Sequence, residues 1–166
     1  TEPILLAVDL GLKSGLAQYG SDGRLLSYRS THFGSRDRLK RGVPGIIKSM
    51  GDIHHIVVEG DRQLGEIWQK WAISRGAEFH FVSAETWRKK LLLPRKQISG
   101  KAAKDEADVL ARKVIDWSGA KRPTSLRHDA AEAILIGLWA VLELGWLNEN
   151  PLSTQSTAKR LNRPPK

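Results

Sequence analysis

The stretch from Ala130 to Leu147 is apolar except for Glu132 and Glu143, and it constrains the fold more than any other part of the chain. Two carboxylates interrupt it, so it reads as a buried helix over roughly His128 to Trp146 rather than a membrane span. A helix that is apolar nearly all round must be enclosed by other elements. The chain has the means: 166 residues with 40% hydrophobic content suit one domain with a real core. There are no cysteines, which excludes disulfide scaffolds, zinc-thiolate sites and thiol nucleophiles and leaves oxygen and imidazole as the strong metal ligands.

What encloses the helix is legible in the preceding residues. Ile4 to Val8 is an apolar run ending in Asp9, followed by Gly11 and Gly15, as expected of a buried strand leading into a hairpin. Leu16 to Tyr19 and Leu25 to Ser30 flank Ser21-Asp22-Gly23, whose Asp-Gly pair suits a tight turn. Residues 34 to 51 are basic and contain Gly42, Pro44 and Gly45, which predicts a loop and then a short helix starting near Pro44. Ile53 to Val58 is a fourth strand ending at Glu59. From Gln63 onward Leu64, Ile67, Trp68, Trp71 and Ala72 recur at helical spacing until Gly76, and burial is the expected fate of both tryptophans. Glu78 to Val82 alternates as a fifth strand, and Ser83 caps a short helix reaching about Leu92.

Residues 94 to 101 form a basic, turn-rich segment that reads as a mobile surface loop, before a helix with Ala103, Ala107, Leu110, Ala111 and Val114 on its core face, ending at Ser118-Gly119. The order implies an α/β domain over residues 1–147, in which three antiparallel strands precede parallel ones in a mixed five-stranded sheet with helices on both faces. Residues 148–166 contain Lys159, Arg160, Arg163 and Lys166 and read as a basic, disordered tail.

Asp9 and Glu59 both end apolar strands, where open α/β sheets expose ligand-binding groups. Taken singly, such an acid more often caps a turn. Asp129 and Glu132 lie three residues apart and share a face at the start of the apolar helix. Acids in a first helical turn also oppose the helix dipole without any metal, but at the end of a buried helix they are short of water and want a cation. Hard oxygen ligands point to Mg²⁺, with Mn²⁺ as a substitute. Two such ions suit in-line displacement at a phosphodiester without a protein nucleophile. His128 is an alternative ligand beside Asp129, although a lone histidine is more often a capping or packing residue. Lys104 is placed to neutralise charge on a phosphate, against its plainer reading as a solvated lysine.

The net charge of +9 favours a polyanionic partner. Basic clusters at 36–41, Arg88-Lys89-Lys90 and Arg95-Lys96, together with Lys101 and Arg62, bracket the acids in sequence. Each alone reads as a solvated face, and together they form a candidate phosphate-tracking surface.

These residues resemble the RuvC-type Holliday junction resolvases of the RNase H-like superfamily, including plant organellar resolvases, over roughly Ile4 to Leu142. AVDLGLKSGLA is similar to the family's first strand, and IVVEGDRQ to its strand ending in a second acid. SGKAAKDEADVLARKV resembles the block that carries a catalytic lysine, and RHDAAEAILIGLWA the closing helix with two acids. The resemblance implies an RNase H-like fold, metal ligation by Asp9, Glu59, Asp129 and Glu132, a catalytic role for Lys104, and a two-fold dimer cutting four-way DNA junctions by paired nicks. In some relatives a histidine supplies one ligand, which keeps His128 beside Asp129 as a candidate. Where some relatives carry a junction-wedging aromatic after the second acid, this chain has Gly60, Asp61 and Arg62, so Arg62 becomes the candidate for insertion or phosphate binding.

Two other classes stay open on sequence: a nuclease of the same fold acting on flap, hybrid or RNA substrates, and a non-catalytic nucleic-acid-binding module. A two-lobed ATPase of similar hairpin start would need a longer chain. No secretion signal is visible, so the expected setting is a bacterial or viral-host cytoplasm at the nucleoid, or an organelle after removal of a transit peptide. No membrane partner is expected.

Overall fold

The computed structural model describes residues 2–92 and 99–153. Five strands form one sheet in the order β3-β2-β1-β4-β5. Strands β1 (Ile4–Asp9), β2 (Lys13–Gly20) and β3 (Leu25–His32) are antiparallel neighbours, whereas β4 (Ile53–Glu59) and β5 (Glu78–Phe81) run parallel to β1. The mixed α/β sheet expected from the order of elements is therefore present. Gly23, at φ +79°, supplies the left-handed residue of the β2–β3 turn.

Alternating side chains of β1 divide the core in two. Leu5 and Ala7 face a layer built with α3 (Ala84–Leu91), α4 (Gly100–Ser118) and α5 (His128–Glu143). Leu6 and Val8 face the opposite layer, built with α1 (Arg36–Ser49) and α2 (Arg62–Ser74). Helices thus cover both faces of the sheet. Helix α5 is the element predicted to be enclosed: Ala130 through Leu138 are all buried, with Ala140 and Val141. A fully buried Leu or Ile contributes about 1.5–3 kcal/mol, so this helix anchors its whole layer. No helix among the described residues is long and apolar enough to cross a membrane.

Several boundaries differ from the sequence reading; strands β2 and β3 are longer than expected, from Lys13 to Gly20 and from Leu25 to His32. Helix α1 begins at Arg36 rather than near Pro44, because the Ser35 side chain caps it by accepting from the Arg38 N–H. Leu39, Val43, Ile46 and Ile47 then bury one stripe, and this packing tolerates Pro44 inside the helix. Helix α4 begins at Gly100, capped by Ser99, so Gly100 and Lys101 are helical rather than part of a loop. Helix α5 stops at Glu143, where Gly145 at φ +74° turns the chain and the Leu147 N–H bonds back to the Val141 carbonyl. Of the expected tail, residues 148–153 are placed, with Pro151 buried and Leu152 packed on the α4–α5 layer. The remainder of the tail, and Arg95 and Lys96 of the 94–101 segment, lie outside the described residues.

Candidate metal centre

The sheet register fixes the first two acids. Asp9 and Glu59 are the last residues of β1 and β4, and they pair directly across the two parallel strands. Their side chains leave the sheet at the same level and compete for the same space.

The third acid arrives on α5, and a glycine makes this possible. Gly15 pairs with Asp9 across the β1–β2 ladder. A Cβ on Gly15 would lie 1.8 Å from the Asp129 carbonyl oxygen and 2.8 Å from the Ala130 nitrogen. The obstacle is backbone, which cannot move aside as a side-chain tip can, so only glycine lets the first turn of α5 rest on the strand. A second close approach lies farther along α5, where a Cβ on Gly137 would meet the Tyr19 ring at 2.2 Å. Buried Tyr19 also donates its hydroxyl hydrogen to the Ile134 carbonyl oxygen.

The result is a group of three carboxylates, Asp9, Glu59 and Glu132, each with an oxygen within 4.8 Å of the others. Glu132 is only 5% exposed. Burial and the charges of Glu132, Glu59 and Asp129 raise the Asp9 pKa from 3.8 to about 9, so at neutral pH it holds a proton that it shares with Glu59. Glu59 is raised as well, chiefly by burial. The raised Asp9 pKa reflects a site short of water first and crowded by like charge second. Three hard oxygen donors gathered in such a place fit a divalent cation.

Asp129 stands beside this group rather than in it. Ser30 donates its hydroxyl hydrogen to one Asp129 oxygen at 2.7 Å, and the Ala130 N–H donates to the other at 2.8 Å. His128 lies at the rim, 39% exposed, with its Nε2 3.0 Å from a Glu132 oxygen. The same oxygen receives an Arg88 guanidinium N–H at 2.7 Å. Arg88, grouped by sequence with the DNA-facing cations, is thus placed in the acid site by α3. Its neighbours diverge: Lys89 is exposed, and Lys90 pairs with Glu143.

Lys101 in the first turn of α4 and Lys104 in the second are both exposed. Neither belongs to the carboxylate group. Arg62 is exposed at the start of α2, its guanidinium 4.7 Å from the centre of the Phe81 ring. Glu59, Gly60, Arg62, Phe81 and Ser83 line an open groove of about 290 Å³ that reaches the acid group at Glu59 alone. Sequence reasoning missed Ser30 and the roles of Gly15 and Arg88. Ser30 carries no signal of its own, since its contact depends on strand pairing that brings β3 under the start of α5.

No family model matches the chain, and no curated protein matches it. Among solved structures, a simian T-cell lymphotropic virus intasome in complex with the PP2A regulatory subunit B56 gamma is similar over 84% of this chain and 48% of that chain, with 11% identity and a TM-score of 0.31. This chain spans about half the length of that one, and a likeness so loose carries no argument.

Proposed function

We propose that the chain is an RNase H-like, metal-dependent endonuclease that resolves four-way DNA junctions by paired nicks as a homodimer, with Mg²⁺ as its cofactor and Mn²⁺ as a substitute. The observation that carries the metal-dependent part is the meeting of Asp9, Glu59 and Glu132 within 4.8 Å, on a chain of net charge +9. The junction and the dimer rest on the sequence resemblance.

Bound among these carboxylates, divalent ions would supply Lewis acidity for water attack on a phosphodiester and for departure of the leaving oxygen. The chain's own contribution is positional. Asp9, Glu59 and Glu132 converge as ligands from two adjacent strands and a buried helix, so their backbones are fixed before any ligand arrives. Asp9 would have to release its proton to act as a ligand, which would tie cation affinity to pH. Ser30 and the Ala130 N–H hold Asp129 alongside, and Arg88 offsets the charge of Glu132, a part that a bound cation would share. Lys104 and Lys101 on α4, Arg62 by the groove and Lys89 on α3 offer cations to the DNA backbone.

Incubation with labelled four-way junction, flap, RNA–DNA hybrid and linear duplex in Mg²⁺ tests the substrate. Paired nicks in the junction with little cutting of the duplex are expected, and preference for flap or hybrid would replace the junction with that substrate. The Arg88–Glu132 ion pair favours one second reading, a binding module whose acids are already neutralised by an arginine. Tight junction binding with no turnover in Mg²⁺ or Mn²⁺ would establish it.

A further inference from the structure

A second group of ligand-type side chains lies at the β5 edge of the sheet. The register pairs His55 of β4 with Glu78 of β5, and Val57 with His80. Residues two apart on a strand share a face, so His55, Glu78 and His80 project from the same side. A register shift contributes: Ile4 pairs with Ile53 and Leu5 with His55, which leaves His54 as an extra residue and turns His55 onto the α5 face. There the His55 ring meets the Trp146 ring edge-on at 5.6 Å and stacks on the His80 ring at 5.9 Å.

The ligand atoms converge without satisfying one another. His55 Nδ1 and His80 Nε2 each lie 3.5 Å from the same Glu78 oxygen, which is longer than a good hydrogen bond. His55 Nδ1 is buried and has no hydrogen-bond partner, a cost that a native fold normally avoids. One atom from each of the three side chains falls within 4.8 Å of the others. Tetrahedral bonds of about 2.1 Å place neighbouring ligand atoms about 3.4 Å apart, close to the spacing here.

We propose that His55, Glu78 and His80 form a transition-metal site, separate from the carboxylate centre, that takes a borderline divalent cation of the Zn²⁺ class. Two imidazoles with one carboxylate suit zinc-like ions and discriminate against Mg²⁺, which prefers oxygen. Burial lowers the His55 pKa, keeping its imidazole neutral and available as a ligand. His80 and Glu78 are 43% and 69% exposed, so a fourth position remains open to water. Occupied, the site would tie edge strand β5 to β4 beneath the turn that carries Trp146.

The test is Zn²⁺ competition against a chromophoric chelator, on the intact protein in excess Mg²⁺, with wild type, H80A, E78Q, D9N and E132Q. His80 and Glu78 lie on an exposed edge, and circular dichroism confirms that their variants fold. Wild type, D9N and E132Q are expected to bind one Zn²⁺ alike, with affinity falling about tenfold or more in H80A and E78Q. Co²⁺ should give tetrahedral visible bands that H80A abolishes. Absence of competitive Zn²⁺ binding in wild type overturns the proposal, as does binding unchanged in H80A and E78Q, or lost in D9N or E132Q. Because D9N and E132Q are the variants that disable the carboxylate centre, failure of either site is recognised independently of the other.

Discussion

Asp9 holds its proton because burial, and after it the charges of the neighbouring carboxylates, disfavour its ionised form, and this has a measurable pH signature. Its folded pKa of about 9 lies far above the ordinary 3.8, so the folded chain binds the extra proton between those values. The stabilising effect of that proton is complete below about pH 4 and is lost as pH rises towards 9, the direction opposite to that of a salt-bridged acid. Glu59 is shifted the same way. Thermal melts without metal should therefore show falling stability from neutral pH to 9, and millimolar Mg²⁺ should flatten the decline. A melting temperature rising across that range would contradict the assignment. Asp9→Asn should raise the metal-free melting temperature by removing the proton requirement, yet lower cleavage by at least about a hundredfold. Arg88→Ala should lower the metal-free melting temperature, because buried Glu132 loses its closest counter-charge. Mg²⁺ should restore it if a cation takes the guanidinium's place, and no restoration would favour the binding-module reading.

At the scale of elements, the site depends on how closely α5 approaches β2. Gly15→Ala places a methyl against the backbone of Asp129, so it should destabilise the protein by about 1–3 kcal/mol as other overpacked sites do, and should abolish cleavage along with it. Denaturant melts and junction cleavage measure both, and a variant that kept wild-type activity would show that the approach is not needed. The strand-end acids were legible in the sequence because an apolar run ending in an acid fixes where its side chain leaves a buried strand. The approach of α5 was not legible, since Gly15 reads as one more turn glycine until Asp129 is known to lie above it. Helix α1 was misjudged for a related reason: Gly42, Pro44 and Gly45 discourage a helix locally, and only packing of Leu39, Val43, Ile46 and Ile47 overrules them. Likewise the register shift at His54, which turns His55 towards His80, leaves no mark in the sequence.

For the whole molecule, a mixed sheet of three antiparallel strands followed by parallel ones was readable from the alternation of strands and helices, and the net charge from composition, whereas the spatial order of the strands comes from the structure. Which basic residues face a ligand was not, because charge alone does not distinguish Arg88, committed to Glu132, from exposed Arg62 and Lys89. Affinity for a four-way junction should fall steeply with salt, and Arg62→Ala and Lys89→Ala should each reduce the slope of log K against log salt by about 1. Unchanged slopes in fluorescence-anisotropy titrations would remove those residues from the DNA surface. The central claim is that Asp9, Glu59 and Glu132 together hold the cation that drives strand cleavage. Its most direct test is cleavage of a labelled four-way junction by wild type, Asp9→Asn and Glu132→Gln, each in Mg²⁺ and in chelator. Paired nicks by wild type in Mg²⁺ alone, with both variants folded and inactive, are the expected result; nicking that survives in the chelator or in both variants would contradict it.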